Sequence, residues 1–171
     1  GAGRRVVVHI QCRQGGELEE GRAGVEQHLH AVARQQLAAP GVAGARDLAA
    51  ALRWTAKLNL PDAVANHFSL AVSPEGTRFL INPNGRHFAR ITASSLVEID
   101  ANDPETMNRP DAPDPTAWGL HGSIHRALPH ARCVMHVHSI HATVLASLAD
   151  STLPPIDQNS AMFFGRHVVD A

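Results

Sequence analysis

The feature that most constrains the fold lies in the second half of the chain, where two helical segments enclose a short apolar strand. Asp114 followed by Pro115 predicts a helix start, because aspartate caps a first turn and proline is tolerated there. Pro129 ends this helix. Cys133 to His138 has the pattern of a strand, and Ser139 to Leu148 has helical periodicity. Helices thus mix with strands, which favours an α/β or α+β architecture over an all-β one.

Both of these helices carry apolar residues at helical spacing, which predicts one buried face on each. The predicted buried residues are Leu120, Ile124 and Leu128 in the first helix and Ile140, Val144 and Leu148 in the second.

The preceding segment predicts a helix and three strands. Asp47 to Leu58 is helical and is stopped by Asn59-Leu60-Pro61. The predicted strands are His67 to Val72, Arg78 to Asn82 and Leu96 to Ile99. Ser73 to Gly76 has the composition of a hairpin turn, Pro83 to Gly85 that of a second tight turn, and Ala101 to Pro115 that of a long polar loop.

Residues 1–45 differ from the rest and are expected to form an N-terminal extension, partly helical or disordered, without chemistry. They hold 8 of the 13 glycines. One amphipathic helix is predicted near 23–38, and Gln36 to Gly44 resembles a linker. The single domain is expected over residues 46–171.

Composition excludes several classes of function. A net charge of −1 provides no global attraction to nucleic acid or an acidic membrane. No apolar run approaches the roughly 20 residues needed to cross a bilayer. The two cysteines, Cys12 and Cys133, do not form a disulfide framework, and they favour the cytoplasm.

Histidine is unusually frequent, with 12 residues, seven of them between His121 and His167, whereas tyrosine is absent. In a strand, residues i and i+2 share a face, so His136 and His138 should project together, and Cys133 should face away. Two imidazoles on a rigid strand suit a divalent metal ion, with zinc expected first and manganese, iron or cobalt as the other candidates. The alternative is two unrelated histidines near a sheet edge.

Five blocks, in order over about residues 46–168, resemble the class II aldolase/adducin family. They are His67-Phe68-Ser69, Leu80 to Gly85, Thr92 to Leu96, Trp118 to His121 and Pro129 to Ser139. The resemblance implies a three-layer α/β/α sandwich around a mainly antiparallel sheet. It also implies a homo-oligomer, usually a tetramer, in which His136, His138 and a third histidine further along bind the metal. His141 and His167 are nearer to the strand than the family spacing of the third histidine implies. The domain is therefore expected to be truncated at its C-terminal end, and the alternative is an incomplete metal site.

The chain departs from the sugar-phosphate aldolases of that family at two places. Ala117 stands where those enzymes have a catalytic glutamate, and alanine cannot move a proton. Their phosphate loops correspond here to Asn84-Gly85 and Pro115-Thr116, which keep fewer serine-like positions. A small, non-phosphorylated substrate is therefore expected, with Asn84, Gly85 and Thr116 among its contacts.

Other histidines are candidates for catalysis. His121 is the candidate acid/base near the metal; the alternatives are a residue that orients the site through hydrogen bonds and a substitute metal ligand. His67 is a candidate substrate contact or a strand-end histidine packed under a loop. His125 and His130 are expected to face solvent, and Asp157 to Asn159 to begin a further strand.

The leading hypothesis is a metal-dependent lyase that acts by aldol cleavage or decarboxylation on a small hydroxy-carbonyl or hydroxy-acid substrate. Both reactions make a carbanion beside an oxygen that a metal can hold. The alternatives are a non-catalytic, adducin-like assembly module and an epimerase or dehydratase on the same scaffold.

Overall fold

The computed structural model of the chain describes residues 42–165. The helix predicted near 23–38 therefore lies outside the described residues. The first described helix, α1, spans Val42–Lys57. It begins five residues before the predicted start at Asp47, so residues 42–44 of the predicted linker are part of the helix. Asn59 follows α1 in the left-handed conformation (φ 55°), in agreement with the predicted stop.

Four strands form one antiparallel sheet in the order β3-β2-β1-β4. Their bounds are β1 His67–Ala71, β2 Arg78–Ile81, β3 Val97–Asp100 and β4 Cys133–His136. Short 3₁₀ turns cover Phe88–Arg90, Ala93–Ser95 and Thr106–Asn108. The remaining helices are α2, residues 115–127, α3 Ile140–Ser147 and α4 Gln158–Phe163.

The sheet lies between two helices, which gives the predicted three layers. On one face Phe68 and Leu80 pack against Leu48 and Leu52 of α1. On the other face residues of β2 and β3 pack against Ala117 of α2. Alternation along each strand explains the arrangement, because successive side chains point to opposite faces.

The β1–β2 hairpin contains the predicted turn. Gly76 has φ +89°, a backbone conformation that glycine adopts without steric cost, and its amide donates to the Ser73 carbonyl. Arg132, just before β4, donates through its guanidinium to the carbonyls of Pro74 and Ala71. The hairpin is thereby connected to the strand that carries His136.

Helix α2 begins as predicted, but its buried face differs from the prediction. Asp114 accepts hydrogen bonds from the Thr116 and Ala117 amides. The chain then takes a π-helical turn over Trp118–Gly122. The fully buried large side chains on α2 are His121 and His125, whereas Leu128 is 37% exposed. The predicted burial of Leu128 and solvent exposure of His125 are therefore wrong, because polar groups on the sheet pair with the histidines.

Two predictions for the last third of the described chain are also wrong. On α3, Ile140, Val144 and Leu148 are exposed rather than inward, since no described element packs over them. Asp157 does not begin a strand; its carboxylate accepts a hydrogen bond from the Ser160 amide and caps α4.

Within residues 42–165, none of the helices combines the length and apolar character required to cross a bilayer.

Candidate metal and substrate site

The sheet register brings histidines from different parts of the chain together. His67 is the direct partner of His136 across the β1–β4 pair. Their rings stack with centroids 4.3 Å apart and an angle of 20° between the planes. Both lie on the face covered by α2, the same face as Ser69 and Val134. The candidate site histidines His67 and His136 therefore lie together at one end of the β1–β4 pair.

His136 and His138 converge as the sequence predicts. Their Nε2 atoms are 3.1 Å apart, and the rings meet edge to face at 4.7 Å. His136 is buried and His138 is half-buried. Because zinc binds imidazole nitrogen at about 2.0–2.1 Å, two nitrogens at this separation can both reach one ion. The pair therefore fits a divalent metal, and their role as ligands stays a prediction.

A loop outside the predicted site supports His138. The Nδ1 atom of His138 lies 3.4 Å from Oδ2 of Asp62, a residue of the loop that follows α1. The Asp62 amide donates to the side-chain oxygen of Asn66, and Asn82 donates to the Asn66 carbonyl at 3.2 Å. A carboxylate on the second nitrogen of a ligand histidine is the usual way that proteins orient such a ring.

His121 lies beneath His67 and is completely buried. Its Nε2 atom shares a hydrogen bond with Nδ1 of His67 at 2.8 Å, and its Nδ1 atom shares one with the Ser69 hydroxyl at 2.6 Å. The same hydroxyl is 2.8 Å from Nε2 of His125. Because both nitrogens of His121 are engaged, its alternative role as a substitute metal ligand would require one of these bonds to break.

Burial also sets the charge state of two of these rings. Desolvation lowers the pKa of His67 to about 4; the Asp114 carboxylate opposes this shift and His138 adds to it. Desolvation, together with the charge of Arg132, lowers the pKa of His125 to about 4. Both imidazoles are therefore neutral at neutral pH.

The predicted substrate contacts lie on exposed turns. Asn84 and Gly85 form the tight turn after β2, where Gly85 has φ +68°. Thr116 is exposed in the first turn of α2, and its hydroxyl donates to Asp114. Asp114 acts electrostatically on His67, so the start of α2 lies near the histidines. The substrate roles of all three residues stay predictions.

The site differs from a three-histidine metal centre within the described residues. No group of three or more histidine, cysteine or acidic side chains in residues 42–165 is arranged to hold a metal ion. His141 is exposed on α3, and His167 lies outside the described residues. Ala117 is 1% exposed and packs in the apolar cluster between α2 and the sheet.

Sequence reasoning missed three residues that contact the predicted ones. Ser69 follows His67 by two positions, so strand alternation was a sufficient signal for it. His125 lies one helical turn after His121, but its burial depends on Ser69 as a partner. Asp62 lies in an irregular loop, where no periodicity indicates its neighbours.

Comparisons with known proteins agree with this arrangement. The family model described as class II aldolase and adducin N-terminal domain matches residues 46–171. A provisionally named class 2 aldolase protein of Pseudomonas aeruginosa is 37% identical over 67% of this chain and 43% of its own length. The decarboxylase NovR of Streptomyces niveus is 30% identical over 71% of this chain and 45% of its own length. The chain thus spans less than half the length of these relatives.

A solved structure shows the same fold. The aldolase II superfamily protein from Pseudomonas syringae superposes with a TM-score of 0.65 at 31% sequence identity, and the match covers 79% of this chain and 54% of that chain. The three-layer arrangement around an antiparallel sheet is therefore the fold of that superfamily.

Proposed function

Because the chain belongs to the class II aldolase and adducin N-terminal domain family, we propose that it carries part of a metal-dependent lyase site. The reaction is aldol cleavage or decarboxylation of a small hydroxy-carbonyl or hydroxy-acid substrate. The observation that carries the proposal is the 3.1 Å separation of the His136 and His138 Nε2 atoms. Two imidazole nitrogens at this separation can bind one cation together.

His136 and His138 would hold the ion, and Asp62 would orient the ring of His138. When bound, a divalent ion there supplies a Lewis acid for a carbonyl or hydroxyl oxygen of the substrate. Zinc is the first candidate, since imidazole suits zinc; manganese, iron and cobalt are the others.

The neighbouring histidines have different tasks. His67 stacks on His136 and is the side chain that we assign to substrate contact. His121, the predicted acid/base, is fully buried and both of its nitrogens are hydrogen-bonded. We therefore propose that it affects the substrate through its hydrogen bond to His67. Asn84, Gly85 and Thr116 complete the proposed substrate contacts at the exposed turns.

The class of substrate follows from what the site lacks and from one relative. Ala117 leaves no carboxylate where the sugar-phosphate aldolases have one, and the two loops keep few hydroxyls for a phosphate group. Similarity to a protein named as a decarboxylase supports an acid substrate as one of the two options. Carbon–carbon cleavage of a non-phosphorylated compound fits both observations.

Assembly into a homo-oligomer, with a tetramer favoured, is part of the proposal. Three apolar side chains of the α3 segment, Ile140, Val144 and Leu148, are exposed by 73%, 56% and 49%. Covering such residues is a usual reason for subunit association.

Calorimetric titration of the full chain with zinc(II) tests the metal site first. We expect one ion per chain for the wild type and loss of binding in His136→Ala and in His138→Ala. His130→Ala, at an exposed histidine, should bind as the wild type does. The titration is repeated with manganese, iron(II) and cobalt, and a wild type that binds none of the four ions would contradict the proposal.

A second assay tests the reaction. The zinc-loaded chain is incubated with a panel of small hydroxy-carbonyl and hydroxy-acid compounds, and the released aldehyde and carbon dioxide are measured. If the wild type releases product and the His136→Ala and His138→Ala variants do not, the result supports a lyase. Zinc binding without release from any compound would contradict it.

Ala117 favours a second candidate, an adducin-like assembly module without catalysis. In that case the double change of His136 and His138 to alanine alters neither the oligomeric state nor any activity. The product assay separates the two candidates, since only the enzyme loses activity in the double variant. Analytical ultracentrifugation checks that the variant keeps the oligomeric state of the wild type.

A further inference from the structure

Four buried side chains form a continuous row of hydrogen bonds that ends at the proposed substrate contact. The row runs from His125 Nε2 to the Ser69 hydroxyl (2.8 Å), on to His121 Nδ1 (2.6 Å), and from His121 Nε2 to His67 Nδ1 (2.8 Å). Each of the four residues is at most 4% exposed. The direction of these bonds determines which nitrogen of His67 carries its proton.

With three neutral imidazoles, only two directions also give the Ser69 O–H an acceptor in the row. Each neutral imidazole has one N–H, the serine has one O–H, and every contact in the row needs one proton. If Ser69 donates to His121, then His125 donates to Ser69 and His121 donates to His67. If Ser69 donates to His125 instead, every bond in the row is reversed. If Ser69 instead accepted from both His121 and His125, its completely buried O–H would have no acceptor in the row.

The free end of the row distinguishes the two directions. His125 stacks on Phe79 at 4.4 Å, and its Nδ1 atom is buried without a hydrogen-bond partner among residues 42–165. In the reversed direction this nitrogen would be a buried N–H without an acceptor. Such groups are rare in folded proteins, and each costs about 1–3 kcal/mol. In the forward direction the same nitrogen has only a lone pair, and buried acceptors without a full set of partners are less rare than buried N–H groups without one.

We infer that His125, acting through Ser69 and His121, holds His67 in the tautomer that is protonated on Nε2. His67 then presents a hydrogen-bond donor beside His136, on whose ring it stacks. A nitrogen that carries a proton cannot ligate a metal or accept a proton. His67 is thus a donor to an oxygen of the substrate, and neither a third ligand nor a general base.

The role toward substrate rests on the proposed function, and it narrows the substrate class. The atom opposite His67 must be a hydrogen-bond acceptor, such as a carboxylate or a carbonyl oxygen, and the bond strengthens if that atom gains negative charge. His125 and Ser69 are positioning residues, because they reach the substrate only through the other two histidines.

Long-range ¹H–¹⁵N correlation spectra of the labelled full chain at pH 7, without metal, test the tautomers directly. Single histidine-to-glutamine variants assign the signals. We expect His67, His121 and His125 all to be protonated on Nε2 and bare on Nδ1. Protonation of Nδ1 in any of the three would overturn the inference. Because no metal or substrate is present, the spectra keep their meaning even if the lyase proposal fails.

Replacing His125, the residue at the free end of the row, tests its role. The glutamine amide of His125→Gln can either donate to Ser69 or accept from it, so the bias disappears. We expect His67 to populate both tautomers in this variant and to keep one in His130→Gln. An unchanged His67 tautomer in folded His125→Gln would overturn the role of His125. In the wild type, loss of the His67 Nε2 proton on zinc(II) addition would overturn its exclusion as a ligand.

Discussion

The Nδ1 atom of His138 lies 3.4 Å from Oδ2 of Asp62, which joins the loop after α1 to the side chain just beyond β4. The Asp62 side chain is 68% exposed, so this contact contributes orientation more than stability. The contact is relevant to metal binding because the Nε2 atom of the same His138 ring faces Nε2 of His136.

Removing this carboxylate should weaken metal binding. We expect Asp62→Ala to raise the zinc Kd about tenfold, the lower end of what loss of an orienting carboxylate usually does. Titration calorimetry measures the change, and Asp150→Ala, at another exposed aspartate, is the control. An Asp62→Ala variant that keeps wild-type affinity would show that the ring needs no such support.

Ser69 should be important for stability, because one hydroxyl serves two buried imidazoles. Ser69→Ala leaves His121 Nδ1 and His125 Nε2 without this partner, and we expect a loss of about 2–3 kcal/mol in the free energy of unfolding. Urea denaturation measures it. Ser94→Ala, whose hydroxyl is exposed, should change stability by less than about 0.5 kcal/mol. Equal effects of the two changes would refute this account.

Stability should fall in acid because of His125. Its pKa is about 4 in the folded chain and 6.5 without burial, so between these values the unfolded state binds the extra proton. The free energy of unfolding is unaffected by this group above pH 6.5 and decreases as the pH falls toward 4. From pH 7 to pH 5 the decrease due to His125 is about 2 kcal/mol.

Urea denaturation of His125→Gln at pH 7 and pH 5 checks this expectation. The variant lacks the titrating ring, so its decrease over this range should be smaller than that of the wild type by about the same 2 kcal/mol. His130→Gln should follow the wild type. Parallel pH dependence in wild type and His125→Gln would exclude His125 as the cause.

Substitution of Gly76 should destabilise the folded chain. Its φ of +89° disfavours a side chain, and an added Cβ would lie 3.2 Å from the Pro129 carbonyl oxygen. We expect Gly76→Ala to lower the unfolding free energy by about 1–3 kcal/mol. At Gly119 in α2 an added Cβ would meet no atom within 4 Å apart from its chain neighbours and the backbone of its own helix, so Gly119→Ala should be neutral or stabilising by up to about 1 kcal/mol. Thermal unfolding of both variants compares them.

The sequence by itself determined the order of the elements through β4 and several of their local signals. The predicted strand Cys133 to His138 ends at His136, so alternation accounts for His136, whereas His138 lies just beyond β4 and its ring still meets that of His136. The Ser73 to Gly76 turn predicted the β1–β2 hairpin, because a turn depends on local geometry. The Asp114 cap is equally local. The family resemblance predicted the layers around the antiparallel sheet, which the fold has.

Only the tertiary structure decided which faces are buried and which side chains meet. Helical spacing predicted burial of Leu128 and exposure of His125, yet His125 is buried because Ser69 on β1 lies opposite it. The spacing of β1 and β4 along the chain does not give the register that pairs His67 with His136, nor the loop path that brings Asp62 to His138. Periodicity sets the direction of a side chain along its own element, whereas its partner depends on packing between elements far apart in sequence.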